Sequence, residues 1–195
     1  MVKISLPRLM LVTGSDPAQP DSFIRKLEVS LQSGVRLVQL RTPDISPTAY
    51  PQLLTRVHHV CCSYQAQLLL NLPPWSRNCE YVSADMGLHL TSVRLLQATR
   101  SQLPIGRVIG ASCHNLEQLQ YAAALQLDYA LLSPVLATAS HPQTIPLGWE
   151  KFAALVQQIH IPVYALGGLD SSHLPIAKQH GAWGIAAIRS LWPNY

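Results

Sequence analysis

Charge is what this sequence has least of. Asp, Glu, Lys and Arg make up 12% of its 195 residues, roughly half the share usual in soluble proteins. With 48% hydrophobic residues, that scarcity excludes a disordered chain and calls for strands covered on both faces. The 14 Lys and Arg side chains leave a net charge of +4, but they are scattered. No basic run interleaved with aromatics is present, so the chain lacks the footprint of a nucleic-acid-binding surface. No apolar run reaches the roughly 18 residues needed to cross a bilayer. The apolar start, Met1 to Val12, is interrupted by Pro7 and Arg8. It has no small-residue cleavage pattern, so it reads as a first strand rather than a signal peptide, and a cytoplasmic location is expected. Four cysteines occur, Cys61, Cys62, Cys79 and Cys113. Their spacing matches no zinc module and a vicinal pair cannot close an ordinary structural disulfide, which leaves reduced, mostly buried thiols. Repeats and low-complexity segments are missing too, and the length suits one domain over residues 1–195.

What is present is alternation. Short apolar runs and longer amphipathic stretches follow one another along the chain, as parallel βα units require. Strands are expected at Leu9 to Val12, Leu37 to Arg41, Leu68 to Leu72, Leu88 to Leu90, Val108 to Ser112, Tyr129 to Leu132, Val163 to Leu166 and Ile185 to Ile188. Between them lie helices at Phe23 to Ser33, Pro47 to Cys62 with Ser46 as N-cap, Ser92 to about Ser101, Asn115 to Leu125, Trp149 to Gln158 and Ser171 to His180. Pro73 to Ala84 leaves room only for a short, irregular helix. Eight strands favour a closed (β/α)8 TIM barrel of the α/β class, and the chain ends too soon after the eighth strand for a full last helix. An open dinucleotide fold would want G-x-G-x-x-G after its first strand, and Thr13-Gly14-Ser15-Asp16 is not that.

In such barrels the chemistry sits at the C-terminal ends of the strands. Those ends read Thr13, Arg41, Asn71, His89, Ser112, His114, Ser133, Gly167, Gly168, Arg189 and Ser190, a polar and cationic ring without a carboxylate. That composition suits an anion better than a divalent metal. Gly167-Gly168 follow the seventh strand and Asp170 opens the next helix, so backbone N–H groups there can approach a phosphate, with Arg189 and Ser190 alongside. Each of these residues also has a plainer reading. Arg41 could pair with Asp44, Asn71 could tie down a loop, and His89 could be a satisfied core histidine. Ser112 and His114, two apart on a strand end, would share a side of the sheet. His89, His114 and His141 could converge on zinc, although no acidic or cysteine ligand reinforces them. Trp75, Trp149 and Trp183 read as packing residues.

The motifs resemble one family along nearly the whole chain. Pro162-Val163-Tyr164-Ala165-Leu166-Gly167-Gly168 is similar to the P-V-x-A-x-G-G signature of thiamin phosphate synthases and TenI-type proteins. Gly181 to Ala186 is similar to their G-A-x-G-[IV]-A strand. Gln39-Leu40-Arg41 resembles Q-x-R, Gly87-Leu88-His89-Leu90 resembles G-[IV]-H-L, Gly110 to His114 resembles G-x-S-x-H, and Asp128-Tyr129-Ala130 resembles D-Y-[IV]. The resemblance implies a thiamin-biosynthetic or salvage transferase that joins a pyrimidine pyrophosphate to a thiazole phosphate with help from Mg²⁺ and cationic side chains. It implies Arg41 as a catalytic candidate, and His114 and His141 are added as candidates because an imidazole titrating near neutrality can shuttle a ring proton. It also implies Asn71, His89, Ser112, Thr138, Ser140, Gly167, Gly168, Arg189 and Ser190 as substrate- or phosphate-binding candidates.

The sequence departs from the family's pattern at several chemical positions. R-E-K continues as Arg41-Thr42-Pro43, N-D-D becomes Asn71-Leu72-Pro73, and the aspartate of H-L-G-Q-x-D is Arg94. His141 stands where the synthase has a lysine, and the TenI tautomerase histidine aligns with Pro134. No residue is therefore assigned as a metal ligand, and Mg²⁺ stays open as a cofactor. Three readings stay open: a synthase, a tautomerase with its histidine relocated to His114 or His141, and a non-catalytic barrel that senses a phosphorylated ligand. The stretch from Gly110 to Trp149 also resembles the barrel half of Nudix hydrolase fusions, which implies a Nudix hydrolase as a further partner. A homodimer would complete a ring left short after strand eight.

Overall fold

The computed structural model describes residues 6–14, 19–76, 83–138 and 143–193. Eight parallel strands close into one barrel in sequence order. They are β1 (Leu9–Val12), β2 (Leu37–Arg41), β3 (Gln67–Asn71), β4 (Gly87–Leu90), β5 (Ile109–Cys113), β6 (Tyr129–Leu132), β7 (Val163–Leu166) and β8 (Gly184–Ala187). Outside the ring stand α1 (Pro20–Gln32), α2 (Tyr50–Ser63), α3 (Ser92–Gln97), α4 (Leu116–Ala124), α5 (Gly148–Val156) and α6 (Leu174–Gln179).

Proline and hydroxyl chemistry moved the helix ends away from the expected places. A helix starting at Pro47 would set the Pro51 ring against the carbonyl four residues back. The helix begins instead at Tyr50, with Pro51 in its first turn where the missing N–H costs nothing. Ser46 still works just ahead of it, its hydroxyl accepting from the Ala49 N–H at 3.2 Å. Pro20 likewise opens α1 three residues earlier than the apolar pattern suggests. Thr91, not Ser92, caps α3. That helix ends at Gln97, and Arg100–Gln102 form a separate 3₁₀ turn. Asn115 caps α4 as expected, accepting from the Gln118 N–H at 2.9 Å. After β3, residues 73–76 form no helix, and the remainder of the expected irregular helix lies mostly outside the described residues.

Side chains alternate across each strand and so divide the core in two. Val38, Leu40, Leu68, Leu70, Ala130, Leu132, Val163 and Ala165 face the helices. Met10, Val12, Leu37, Leu69, Tyr129, Leu131, Tyr164 and Ala186 fill the barrel. Two tyrosines dominate that interior, Tyr129 and Tyr164, both fully buried and crossing edge-to-face at 5.7 Å. Their bulk is matched by glycine on the neighbouring strands. Gly110 is the register partner of Tyr129, and a Cβ there would lie 2.1 Å from the Tyr129 ring.

No helix follows β8 among the described residues. Trp192 takes up that space: it is 5% exposed, meets the Phe23 ring of α1 at 4.8 Å and lies against Gly14. The Leu191 carbonyl accepts from the Ser30 hydroxyl at 2.6 Å. The space after β8 is thus filled from within this chain. Trp75, Trp149 and Trp183 pack as expected, Trp75 against Tyr50 and Trp149 against Phe152, while Trp183 lies under the Arg8 guanidinium at 3.8 Å.

Gly110→Ala should be expensive, because the added methyl meets a ring that itself has no room to move. The expected loss is at least about 2 kcal/mol, the usual scale of an overpacked core, read as a lower urea midpoint.

Candidate functional site

The inward-facing register carries polar residues to the top of the barrel. Arg41 and Asn71 are register partners at the ends of β2 and β3. His89, Ser112, Ser133 and Ile188 follow around the ring by the same alternation. Below them the interior is apolar, apart from the buried Gln39 amide on β2 and a floor built around His89.

His89 is 2% exposed. One ring nitrogen, Nδ1, is 2.7 Å from the Tyr129 hydroxyl and the other, Nε2, is 2.8 Å from the Ser112 hydroxyl. Burial pushes its imidazole down to about 3. A neutral ring with both nitrogens committed cannot offer positive charge to a phosphate. The core reading of His89 therefore describes its geometry, and its part in the site is to hold Ser112. β5 ends at Cys113, so strand alternation does not reach His114, and the two side chains bond to different partners, Ser112 to His89 and His114 to Ser133. His114 is exposed instead, donating Nδ1–H to the Ser133 carbonyl at 3.0 Å. That bond leaves Nε2 with a lone pair and no partner among the described residues.

Two recesses open at the mouth, on opposite sides of the ring. The first, about 460 Å³, lies over β2, β3 and β4 and is lined by Arg41, Asn71, Pro73, Thr91, Arg94 and Gln97 among others. Arg41 is exposed and makes no ion pair with a described residue, so the pairing with Asp44 is not formed. Asn71 is 8% exposed and its amide bonds to no described group. Arg94 was not among the expected site residues. Its signal was a cation in the family's aspartate position.

The second recess, about 300 Å³, lies over β7 and β8 and brings together Thr138, Gly167, Gly168, Arg189 and Ser190. Gly167 and Gly168 have φ of +108° and +67°, and the loop after β6 passes so close that a Cβ on Gly168 would sit 2.5 Å from the Ala137 carbonyl. Only glycine satisfies both demands. The N–H groups of Gly168, Arg189 and Ser190 donate to no described acceptor, and the Ser190 hydroxyl reaches the Leu169 carbonyl at 2.9 Å. Asp170 also lines this recess, which corrects the expectation of a mouth without carboxylates. One of its oxygens is occupied at the start of the 3₁₀ turn Ser171–His173, taking the Ser172 N–H at 2.9 Å and His173 at 2.9 Å. Those bonds, that from the Ser172 hydroxyl foremost, hold its carboxyl below the usual range. Ser140 and His141 lie outside the described residues, as does Cys79. Cys61 and Cys113 are buried, which pushes both thiols up to about 12, while Cys62 is exposed.

Mg²⁺ finds no fitting donor set in the first recess. Its described lining holds two guanidinium groups and no carboxylate, whereas Mg²⁺ is held in proteins through carboxylates. One group of three candidate ligands does gather among the described residues: His58, Cys62 and Asp85, with ligand atoms within 4.8 Å of one another. It sits where α2 ends and β4 is about to begin, at the end of the barrel opposite the mouth. A thiol with an imidazole suits a softer ion than Mg²⁺. His58 and Asp85 already bond at 2.6 Å.

The geometry defines a parallel β/α barrel whose mouth carries two separate recesses with cationic side chains. The family model described as thiamine monophosphate synthase matches residues 9–191. A chain from Aquifex aeolicus (strain VF5), provisionally named thiamine-phosphate synthase 2, is 33% identical over 185 residues, covering 95% of this chain and 97% of that one. A thiamine-phosphate synthase of Syntrophomonas wolfei is 31% identical over 186 residues, covering 94% and 87%. The solved thiamine phosphate pyrophosphorylase from Pyrococcus furiosus superposes with a TM-score of 0.71 at 20% identity, covering 93% and 85%. The chain belongs to the thiamine monophosphate synthase/TenI family and, with it, to thiamin biosynthesis. No helix among the described residues is long and apolar enough to cross a membrane.

The neutral state of His89 sets a pH dependence. A free histidine titrates near 6.5, so between about pH 6.5 and 3 the unfolded chain binds one more proton than the folded one. Stability from this group is complete above that window and is lost as the pH falls through it. Unfolding free energies in urea should drop by about 2 kcal/mol more between pH 7 and pH 5 in the wild type than in His89→Asn. Equal drops would show that His89 is protonated in the fold.

Proposed function

We propose that this protein is a thiamin phosphate synthase-like transferase acting on two phosphorylated substrates at one barrel mouth. The observation that carries this reading is the pair of recesses on opposite sides of the ring. The β7–β8 recess takes the phosphate of a thiazole phosphate on the Gly168, Arg189 and Ser190 N–H groups, with Thr138 and Gly167 beside it. The recess over β2–β4 takes the diphosphate of a pyrimidine ester on Arg41 and Asn71. The two rings then meet over the His89–Ser112 floor. The thiazole nitrogen forms a bond to the exocyclic methylene of the pyrimidine as that carbon's bond to oxygen breaks. Diphosphate departs with the bonding electrons and the nitrogen becomes cationic. The protein's contribution is positive charge aimed at the departing oxygens and the fixed approach of the two rings. The unpaired thiols fit a reducing, cytoplasmic setting.

His114 supports a second reading. Its Nδ1–H···O=C bond leaves a basic Nε2 at the mouth, as proton transfer on a single thiazole ligand would need; His141 is the other candidate for that role. One assay separates the two readings. Incubation with thiazole phosphate and pyrimidine diphosphate should yield thiamin phosphate, and Arg41→Gln should lower kcat by roughly 10²-fold, the scale of one lost charge-stabilising donor. Deuterium uptake into thiazole phosphate alone, abolished in His114→Gln and without condensation product, would replace the synthase by an isomerase. Binding of both ligands with neither reaction would leave a sensor.

A further inference from the structure

The recess over β2–β4 is built for a polyanion and against a divalent cation. Arg94 is the residue that makes it so. Its backbone N–H bonds the Thr91 hydroxyl at 3.2 Å, which fixes the start of α3. Its Nη2 donates to the Pro73 and Ser76 carbonyls at 2.8 and 2.7 Å, which ties the side chain across the loop after β3. A guanidinium has five N–H donors. Those two bonds use both donors of Nη2, and the three on Nη1 and Nε have no described acceptor. The side chain is half-buried, and its loop anchors hold it in place before any ligand arrives. Arg41, exposed and without an ion pair among the described residues, lines the same recess, as do Asn71, whose amide bonds to no described group, Thr91 and Gln97.

An anchored guanidinium and a second, exposed one in the same cleft repel each other unless an anion lies between them, and planar N–H pairs match phosphoryl oxygens two at a time. A divalent cation entering the same space would meet two like charges and no described carboxylate. We infer that this recess binds a diphosphate group without a divalent metal, Arg94 with Arg41 supplying the positive charge that a metal would otherwise bring. Arg94 is thereby a binding residue for the diphosphate. The inference rests on the two-substrate reading only for the identity of the natural ligand, since the recess itself can be probed with inorganic pyrophosphate.

Calorimetric titration of the full chain with pyrophosphate in EDTA, and again in excess Mg²⁺, tests it. Binding is expected in EDTA, with an affinity unchanged or weakened when Mg²⁺ complexes the ligand. Arg94→Gln should weaken the EDTA binding by about tenfold or more, ~1.4 kcal/mol. It should leave thiazole phosphate affinity at the β7–β8 recess intact, which reports that the variant is folded. Arg94→Asp should lose binding in EDTA and regain it when Mg²⁺ is added. Wild-type binding that needs Mg²⁺, an unaffected Arg94→Gln, or no pyrophosphate binding in either buffer would each overturn the inference. The functional reading fails separately: metal-free binding of pyrophosphate with no thiamin phosphate formed would sink the synthase and leave this recess as described.

Discussion

The mouth of this barrel stands on Tyr129. Its ring lies in space that Gly110 leaves open on the next strand, and its hydroxyl holds His89, which in turn holds Ser112. A phenol buried this far needs a partner for its O–H, and an imidazole buried this far needs two. Each group satisfies the other, so the column from barrel centre to mouth is a closed set of hydrogen bonds. Burial forces the imidazole to stay neutral. Positive charge at the site must therefore come from arginines at the rim, which remain in contact with water.

That division explains where the cations sit. Arg41, Arg94 and Arg189 all lie beyond the last apolar layer, each lining a recess. Arg41 gets there by register, as the fifth residue of a strand whose first and third positions face inward. Arg94 gets there by a different route, from the first turn of α3 and held by loop carbonyls. Arg189 comes from the segment that leaves β8. With 10 Asp and Glu in the whole chain, few carboxylates compete for them. Asp170, which does line the phosphate-type recess, is bonded to Ser172 and His173.

The barrel was legible because alternation is a strong signal: β1, β2, β6 and β7 fall where apolar runs place them. Helix starts were less so, because an apolar period marks a face and not an end. Pro20 and Pro51 decided two starts by their missing N–H groups. The glycine-rich recess was readable from Gly167-Gly168 after a strand, and the structure brings Thr138, Arg189 and Ser190 to it. His89 was not resolvable, since a histidine on an inward register can either reach the mouth or serve the core, and depth depends on Tyr129. Trp192 left no periodic trace; its place is set by the Phe23 ring of α1 and by the lack of a side chain at Gly14.

Arg94 shows how one substitution changes the logic of a recess. An aspartate in that place would bring negative charge toward Arg41, and a metal could be shared between the carboxylate and an anionic ligand. An arginine in that place cannot share a metal, but it can contact the anion directly. It is also costlier to leave alone, because two guanidinium groups in one cleft stabilise the empty state poorly. The loop carbonyls of Pro73 and Ser76 lessen that cost by taking two of its protons. The same bonds fix the remaining three donors relative to the loop, so little side-chain freedom is left to lose when an anion arrives. As a proposed diphosphate site, the arrangement exchanges a diffusible cation for one tethered to the Pro73 and Ser76 carbonyls.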